Sequence, residues 1–230
     1  MRSRKRRLYH MTLSLLRREA REALKGKWGS AVLLMLVYAF VTIVFPMVVE
    51  VVLSGGWDVW IEQENVPTSV SIVSLLLSLA LIPFSVVVYW VFLDVYRHEP
   101  VRISPMFTVY QNGKLSLKLI GTSISFGIFV FLWSLLLIIP GIIKSLSYSQ
   151  TFFLLKDHPE YGALQAISES KKRMKGYKGK LFLLYLSFIG WGLLSILTFG
   201  IGLLWLVPYV YTSLAAFYDQ FIRTQEAPVE

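Results

Sequence analysis

A chain of 230 residues with 55% hydrophobic and only 16% charged side chains falls well short of the quarter charged residues usual in a soluble domain. Its 23 Lys and Arg exceed its 14 Asp and Glu, for a net charge of +9, but the basic residues crowd the edges of long apolar runs, which argues against nucleic acid as a partner. Cysteine is absent, so disulfides, thiol nucleophiles and zinc–thiolate sites are excluded.

Residues 1–30 read as a basic cytoplasmic tail. Within it Leu13, Leu16, Ala20, Ala23 and Leu24 share one helical face, opposite Arg17, Arg18, Arg21 and Lys25. Residues 28–49 then carry no formal charge, and no small-x-small cleavage pattern precedes Glu50. A retained anchor is expected, not a cleaved signal peptide. Further uncharged runs cover 65–93, 119–143 and 181–218. About 20 apolar helical residues cross a hydrocarbon core, and the last run is long enough for two crossings. The expected architecture is therefore all-α, a polytopic membrane helix bundle over residues 31–222. Its six spans, arranged as three hairpins, are 31–52, 69–93, 117–139, 142–156, 181–197 and 203–221.

Structural breaks are expected at Pro83, at Pro140 and Gly141, at Gly200 and Gly202, and at Pro208. A second amphipathic helix is expected at 161–175, with Lys171, Lys172 and Arg173 on its polar side, and 223–230 forms a short tail. Both amphipathic helices are read as lying in the headgroup plane, where each basic residue near anionic lipid adds about 1 kcal/mol. With the N-terminus inside, every Lys and Arg except Lys144 falls on the cytoplasmic side, which sets both termini in the cytoplasm.

The three hairpins share punctuation. Each opens with a Gly-Lys pair (Gly26-Lys27, Gly113-Lys114, Gly179-Lys180), and in each second helix an aliphatic pair precedes Pro83, Pro140 or Pro208. Asp94 and Asp219 both follow their proline by eleven residues, where the middle hairpin has Thr151 and reaches Asp157 only later. Triplication explains this, and so does convergent use of glycine, lysine and proline at membrane helix ends.

Little in the chain carries chemistry. There is no HExxH, no GxSxG elbow and no Walker loop, and no cofactor is called for. Asp157-His158-Pro159-Glu160 reads as the start of a helix, with Asp157 as its cap. Lys144 stands apart as the one cation expected inside a span. With Ser147, Tyr148 and Gln150 it either lines an anion or lipid-headgroup site, or it snorkels to the outer headgroups.

Three stretches, REALKGKWGSAV, IPGIIKSLSYSQTFFLLKDHPE and SKKRMKGYKGKLFLLYLSFIGWGLLSILTFGIGLLWLVPYVYTSLAAFYDQ, resemble an uncharacterised bacterial integral-membrane family, domain of unknown function 975. The resemblance runs from about Ala20 to Gln220 and implies a bacterial plasma-membrane protein. It also implies a distant similarity to the membrane domains of some glycerophosphodiester phosphodiesterases, and it brings no catalytic residue with it. The expected role is non-enzymatic, exerted through anionic membrane lipids, a membrane protein partner or a second copy of the chain. The alternatives are a transporter or lipid translocase using Lys144, and a membrane enzyme.

Overall fold

A computed structural model describes residues 12–62 and 66–226. The first part of the basic tail, Glu64 in the acidic connection and the last four residues of the C-terminal tail lie outside them. The described residues are helical and contain no strand. Eleven helices are used below: α1 (Leu13–Leu24), α2 (Trp28–Ser54), α3 (Trp57–Glu62), α4 (Thr68–Tyr96), α5 (Ser104–Thr108), α6 (Gly113–Leu136), α7 (Ile138–Tyr148), α8 (Thr151–Asp157), α9 (Ala163–Arg173), α10 (Lys178–Leu197) and α11 (Leu203–Phe217). A π-turn at Phe40–Val44 accommodates Pro46 inside α2, and a second at Tyr218–Ile222 prolongs α11.

Four of these helices, α2, α4, α6 and α10, are long and apolar enough to cross a membrane. The other two expected spans differ from the prediction. Segment 142–156 is interrupted by a turn at Ser149 and Gln150, and 203–221 is a 15-residue helix followed by the π-turn. The third span ends at Leu137, which is extended, and not at Pro140. Pro140 instead sits in the first turn of α7, where its missing N–H has no intrahelical partner to lose. The breaks expected at Pro83 and Pro208 are absent, since α4 and α11 run through both as continuous helices.

The chain folds as three similar units: α1–α4, α5–α8 and α9–α11. Their correspondence is clearest between the first and third, whose leading and long helices align at a constant offset of 150 residues. Leu16, Ala20, Ala23, Leu24, Ala31 and Leu34 are buried, and so are Ala166, Ser170, Arg173, Met174, Leu181 and Leu184. In the middle unit Val109, Ser116 and Leu119 are buried at the same spacing as Leu24, Ala31 and Leu34. Lys27, Asn112 and Tyr177 accordingly hold the same place before the three long helices.

This register differs from the Gly-Lys pairing expected from the sequence. The turn that ends the leading helix needs a positive φ, which glycine adopts without a steric penalty. Gly26 (φ 77°) and Gly176 (φ 88°) supply it, whereas Gly113 and Gly179 lie inside helices.

Packing follows one rule around the molecule. The second helix of each unit contacts the leading helix of the next (α4 with α5, α7 and α8 with α9, α11 with α1), and also its long helix (α4 with α6, α7 with α10, α11 with α2). The last contacts in each series close a ring. α4 meets both α8 and α11 in the interior, and most of the core lies on these second helices, as Phe84, Phe92, Phe153 and Phe217 illustrate. The first helices face outward and expose Phe40, Leu132, Leu194 and similar side chains.

The leading helices α1 and α9 pack onto the bundle. Their apolar faces are spent on α11 and on α6–α8 respectively.

At the turns opposite the leading helices, two units share a close approach. A Cβ on Gly141 would overlap Ser134 Oγ and stand 3.0 Å from Ser134 Cα; one on Gly202 would stand 2.7 Å from Ser195 Oγ and 3.0 Å from Ser195 Cα. Gly141→Ala and Gly202→Ala should each lower the thermal midpoint of the detergent-solubilised protein, by an overpacking cost of about 1–3 kcal/mol. Gly121→Ala meets nothing within 4 Å and should leave it unchanged.

Candidate functional site

The inner helices converge on a charged cluster built from the three unit ends. Arg97, just past α4, grips Asp157 at the end of α8 through Nη1 (2.7 Å) and Nη2 (2.5 Å), and its Nε donates to Asp219 Oδ1 at 3.1 Å. One planar guanidinium thereby joins all three units, a task its fork of donors suits and a lysine could not perform. Around it, Tyr218 Oη donates to Asp157 Oδ2 (3.0 Å) and Arg223 Nη2 donates to Asp219 Oδ2 (2.9 Å). The α4–α8 contact is reciprocal: Lys156 pairs with Asp94 and also donates to the Trp90 carbonyl at 2.6 Å.

A second polar bridge ties α1 to the same end. Tyr96 Oη donates to Glu19 Oε2 (2.9 Å) and accepts from Gln220 Nε2 (2.9 Å).

Burial opposes ionisation of Asp157, but the hydrogen bonds and charge of Arg97, with the Tyr218 hydroxyl, outweigh it and hold the carboxyl below its ordinary range. Burial likewise opposes the Arg97 charge, and the bonds and charges of Asp157 and Asp219 more than offset it. Asp157 therefore ends α8 and does not cap the following helix, as its sequence context suggests; α9 begins after Gly162 instead. His158 turns to Glu160 (Nδ1 to Oε1 2.9 Å) and stacks on Tyr161 at 4.5 Å. Among the described residues no three His, Asp or Glu side chains gather closely enough to hold a metal.

The four residues Lys144, Ser147, Tyr148 and Gln150 make separate contacts. Lys144 Nζ lies 3.9 Å from the centre of the Trp133 ring, a cation–π contact. Ser147 is buried and bonds the Ile143 carbonyl (2.6 Å), while Tyr148 packs against Phe126 and Phe129. Gln150 belongs to the break between α7 and α8. That break is spliced from α9: the Gln150 N–H donates to Ser170 Oγ (3.2 Å), and Ser170 Oγ donates to the Ser147 carbonyl (2.9 Å).

The basic residues expected on the surface also divide. Lys25, Lys171 and Lys172 are exposed, with Lys172 3.4 Å from Glu169, and Arg18 pairs with Glu22 at 3.3 Å. Arg173 is turned inward, 3.4 Å from Glu169 and bonded to Tyr161 Oη at 3.3 Å. Arg17 and Arg21 line a crevice of about 590 Å³ between α1 and the α10–α11 pair, whose apolar wall includes Trp191, Leu194, Trp205 and Leu206. A more polar crevice of about 490 Å³, lined by Glu19, Glu22, Arg97, His98 and Asp219, adjoins the charged cluster. A third, of about 380 Å³ between the second and third units, is lined by Phe126, Ser145, Ser149 and Tyr185. Lys144 lines none of the three.

Nothing in the composition of the chain points to Asp157 meeting Asp219. The one signal is the eleven-residue spacing that aligns Asp94 with Asp219, and the turn at Ser149 and Gln150 delays its middle counterpart by six residues.

The described residues define an all-helical fold, with four helices long and apolar enough to span a membrane. The chain belongs to the family described as protein of unknown function, DUF975, whose profile matches residues 11–147 and 135–225. No curated protein and no solved structure matches it.

Removing one partner of a largely buried ion pair strands the other, at a cost of about 3 kcal/mol. Arg97→Ala should therefore lower the thermal midpoint strongly, and Arg97→Lys nearly as much, because a lysine cannot hold both carboxylates. Because Asp157 is held below its unfolded value, its contribution is complete above the ordinary carboxylate range, near pH 4. It is lost as pH falls through the depressed value. Midpoints measured across pH 2–7 should fall at the acid end in the wild type and more gently in Asp157→Asn.

Proposed function

We propose that this is a non-enzymatic integral protein of the bacterial plasma membrane, crossing it six times as three hairpins with both termini in the cytoplasm. It works through anionic lipids and through lateral contact with a membrane protein partner or a second copy of itself. The observation that carries this reading is the distribution of apolar and basic surface. The outward faces of α2, α6 and α10 expose a belt of large apolar side chains, among them Phe40, Ile43, Phe131, Leu132, Leu193 and Leu194. No soluble surface sustains such a belt, and a hydrocarbon core covers it.

The ends carrying the charged cluster also carry Lys27, Lys118 and Lys178, the side that the distribution of Lys and Arg assigns to the cytoplasm. Lys27 and Lys118 there donate to the Glu99 (2.6 Å) and Pro159 (2.5 Å) carbonyls.

The two short second helices fit the same placement. The 11 residues of α7 and 7 of α8 rise about 27 Å at 1.5 Å each, close to a hydrocarbon thickness of about 30 Å. The 15 residues of α11 with the 5 of its π-turn reach about 30 Å in the same way. Their interior positions leave their own polar groups bonded inside the bundle, as with Thr212 Oγ1 to the Pro208 carbonyl (2.8 Å).

The carboxylates at the converging ends are engaged by arginine or lysine, which supports a structural and not a catalytic use. A translocase gripping an anion at Lys144 draws no support from a side chain laid on Trp133 outside the three crevices described.

The absence of cysteine makes the topology directly testable. Single substitutions Asp58→Cys and Ile201→Cys should react with a membrane-impermeant maleimide on intact cells. Glu99→Cys and Glu160→Cys should react only after permeabilisation. Labelling of all four from one side would overturn the six-crossing arrangement.

A further inference from the structure

We propose that the crevice between α1 and the α10–α11 pair holds one anionic phospholipid. Its phosphate would sit at Arg17 and Arg21, and an acyl chain would run along Trp191, Leu194 and Trp205. The proposal rests on the membrane placement above and adds a defined lipid site to it.

Three observations meet there. The crevice, of about 590 Å³, is lined by three tryptophans and two leucines, with Ser14, Ser195 and Thr198 among its polar residues, and in a bilayer its apolar wall offers a bed for an acyl chain. Arg17 and Arg21, one helical turn apart, both line it. Neither has a carboxylate partner among the described residues, whereas Arg18 on the same helix is paired with Glu22 and Arg97 and Arg223 are paired with aspartate. Two guanidinium groups without a carboxylate partner among the described residues, beside a largely apolar groove, match a phosphodiester that carries an acyl tail, since arginine binds phosphate through paired N–H donors.

The internal repeat sharpens this assignment. At the offset of 150 residues, Arg21 corresponds to Lys171, but Arg17 corresponds to Ile167, which is buried. The first unit thus has an arginine pair where the third has a single cation and an apolar side chain. A generic attraction of basic surface for anionic lipid predicts no such difference.

The test uses the full chain in nanodiscs containing equal phosphatidylglycerol and phosphatidylethanolamine, extracted and read by native mass spectrometry. The wild type should retain one phosphatidylglycerol per chain. Arg17→Gln with Arg21→Gln should reduce that retention about tenfold, the loss of roughly one strong charge-assisted contact, with the thermal midpoint unchanged. Lys171→Gln with Lys172→Gln should retain the lipid. Equal loss in the lysine variant would overturn the proposal in favour of nonspecific attraction. Displacement by excess inorganic phosphate, leaving no lipid bound, would mark a phosphate site instead and also overturn it. Absence of retained lipid in the wild type, with the maleimide pattern intact, would sink the lipid site and leave the membrane reading standing. Failure of the maleimide pattern itself would remove both.

Discussion

The bond on which the fold depends is the shared hold of Arg97 on Asp157 and Asp219. In the proposed membrane placement, hydrophobic burial does little to choose among helix arrangements, because a lipid tail is as good a neighbour as a leucine. Directional bonds must then set which helix ends meet. A guanidinium with two of its donors on one aspartate and a third on another specifies the meeting point of three units at once. The reciprocal Lys156–Asp94 pair fixes the rotation of α8 against α4. The remaining contacts, from the leading helices to the outer belt, follow once those ends are joined.

Much of this architecture is legible in the sequence. Uncharged runs locate α2, α4, α6 and α10 to within a few residues, and helical periodicity picks out Leu16, Ala20, Ala23 and Leu24, which are all buried. Spacing from proline places Asp94 and Asp219 near the ends of α4 and α11, where they take different partners, Lys156 and Arg97. The rest was not legible, for identifiable reasons. Periodicity shows that α1 and α9 have an apolar face but not what covers it, and protein covers it here instead of lipid. Charge counting treats Arg97 and Arg173 like any other cytoplasmic cation, although one is the hub of the cluster and the other is turned inward. Both of Arg97's partners lie more than fifty residues away in the chain, beyond the reach of any local pattern. The Gly-Lys pairs misled because the glycine that matters is the one with positive φ, and identity alone does not reveal φ.

Variation among the units has a physical logic. Ser170 of α9 occupies the place that Ala20 occupies in α1. α1 packs on α11, which is continuous and needs nothing polar from its neighbour. α9 packs where α7 gives way to α8, and there a hydroxyl takes up the Gln150 N–H and reaches the Ser147 carbonyl. The same logic accounts for Ser147 and Gln150, polar residues in an apolar stretch whose backbones flank a break in the helix. A helix break inside an apolar bundle is tolerable only when its freed backbone groups find partners, and one serine meets that need.

The contact of α1 with α11 has a topological consequence. Between the first and second units, and again between the second and third, a short peptide connection brings the second helix onto the next leading helix. Between the third and the first no such connection exists, yet the same docking occurs, and Gln220 meets Tyr96 and Glu19 beside it. The ring therefore has no intrinsic beginning. A circularly permuted chain, opened between α8 and α9 and linked across the present ends, would have to form the same set of contacts to reach its minimum.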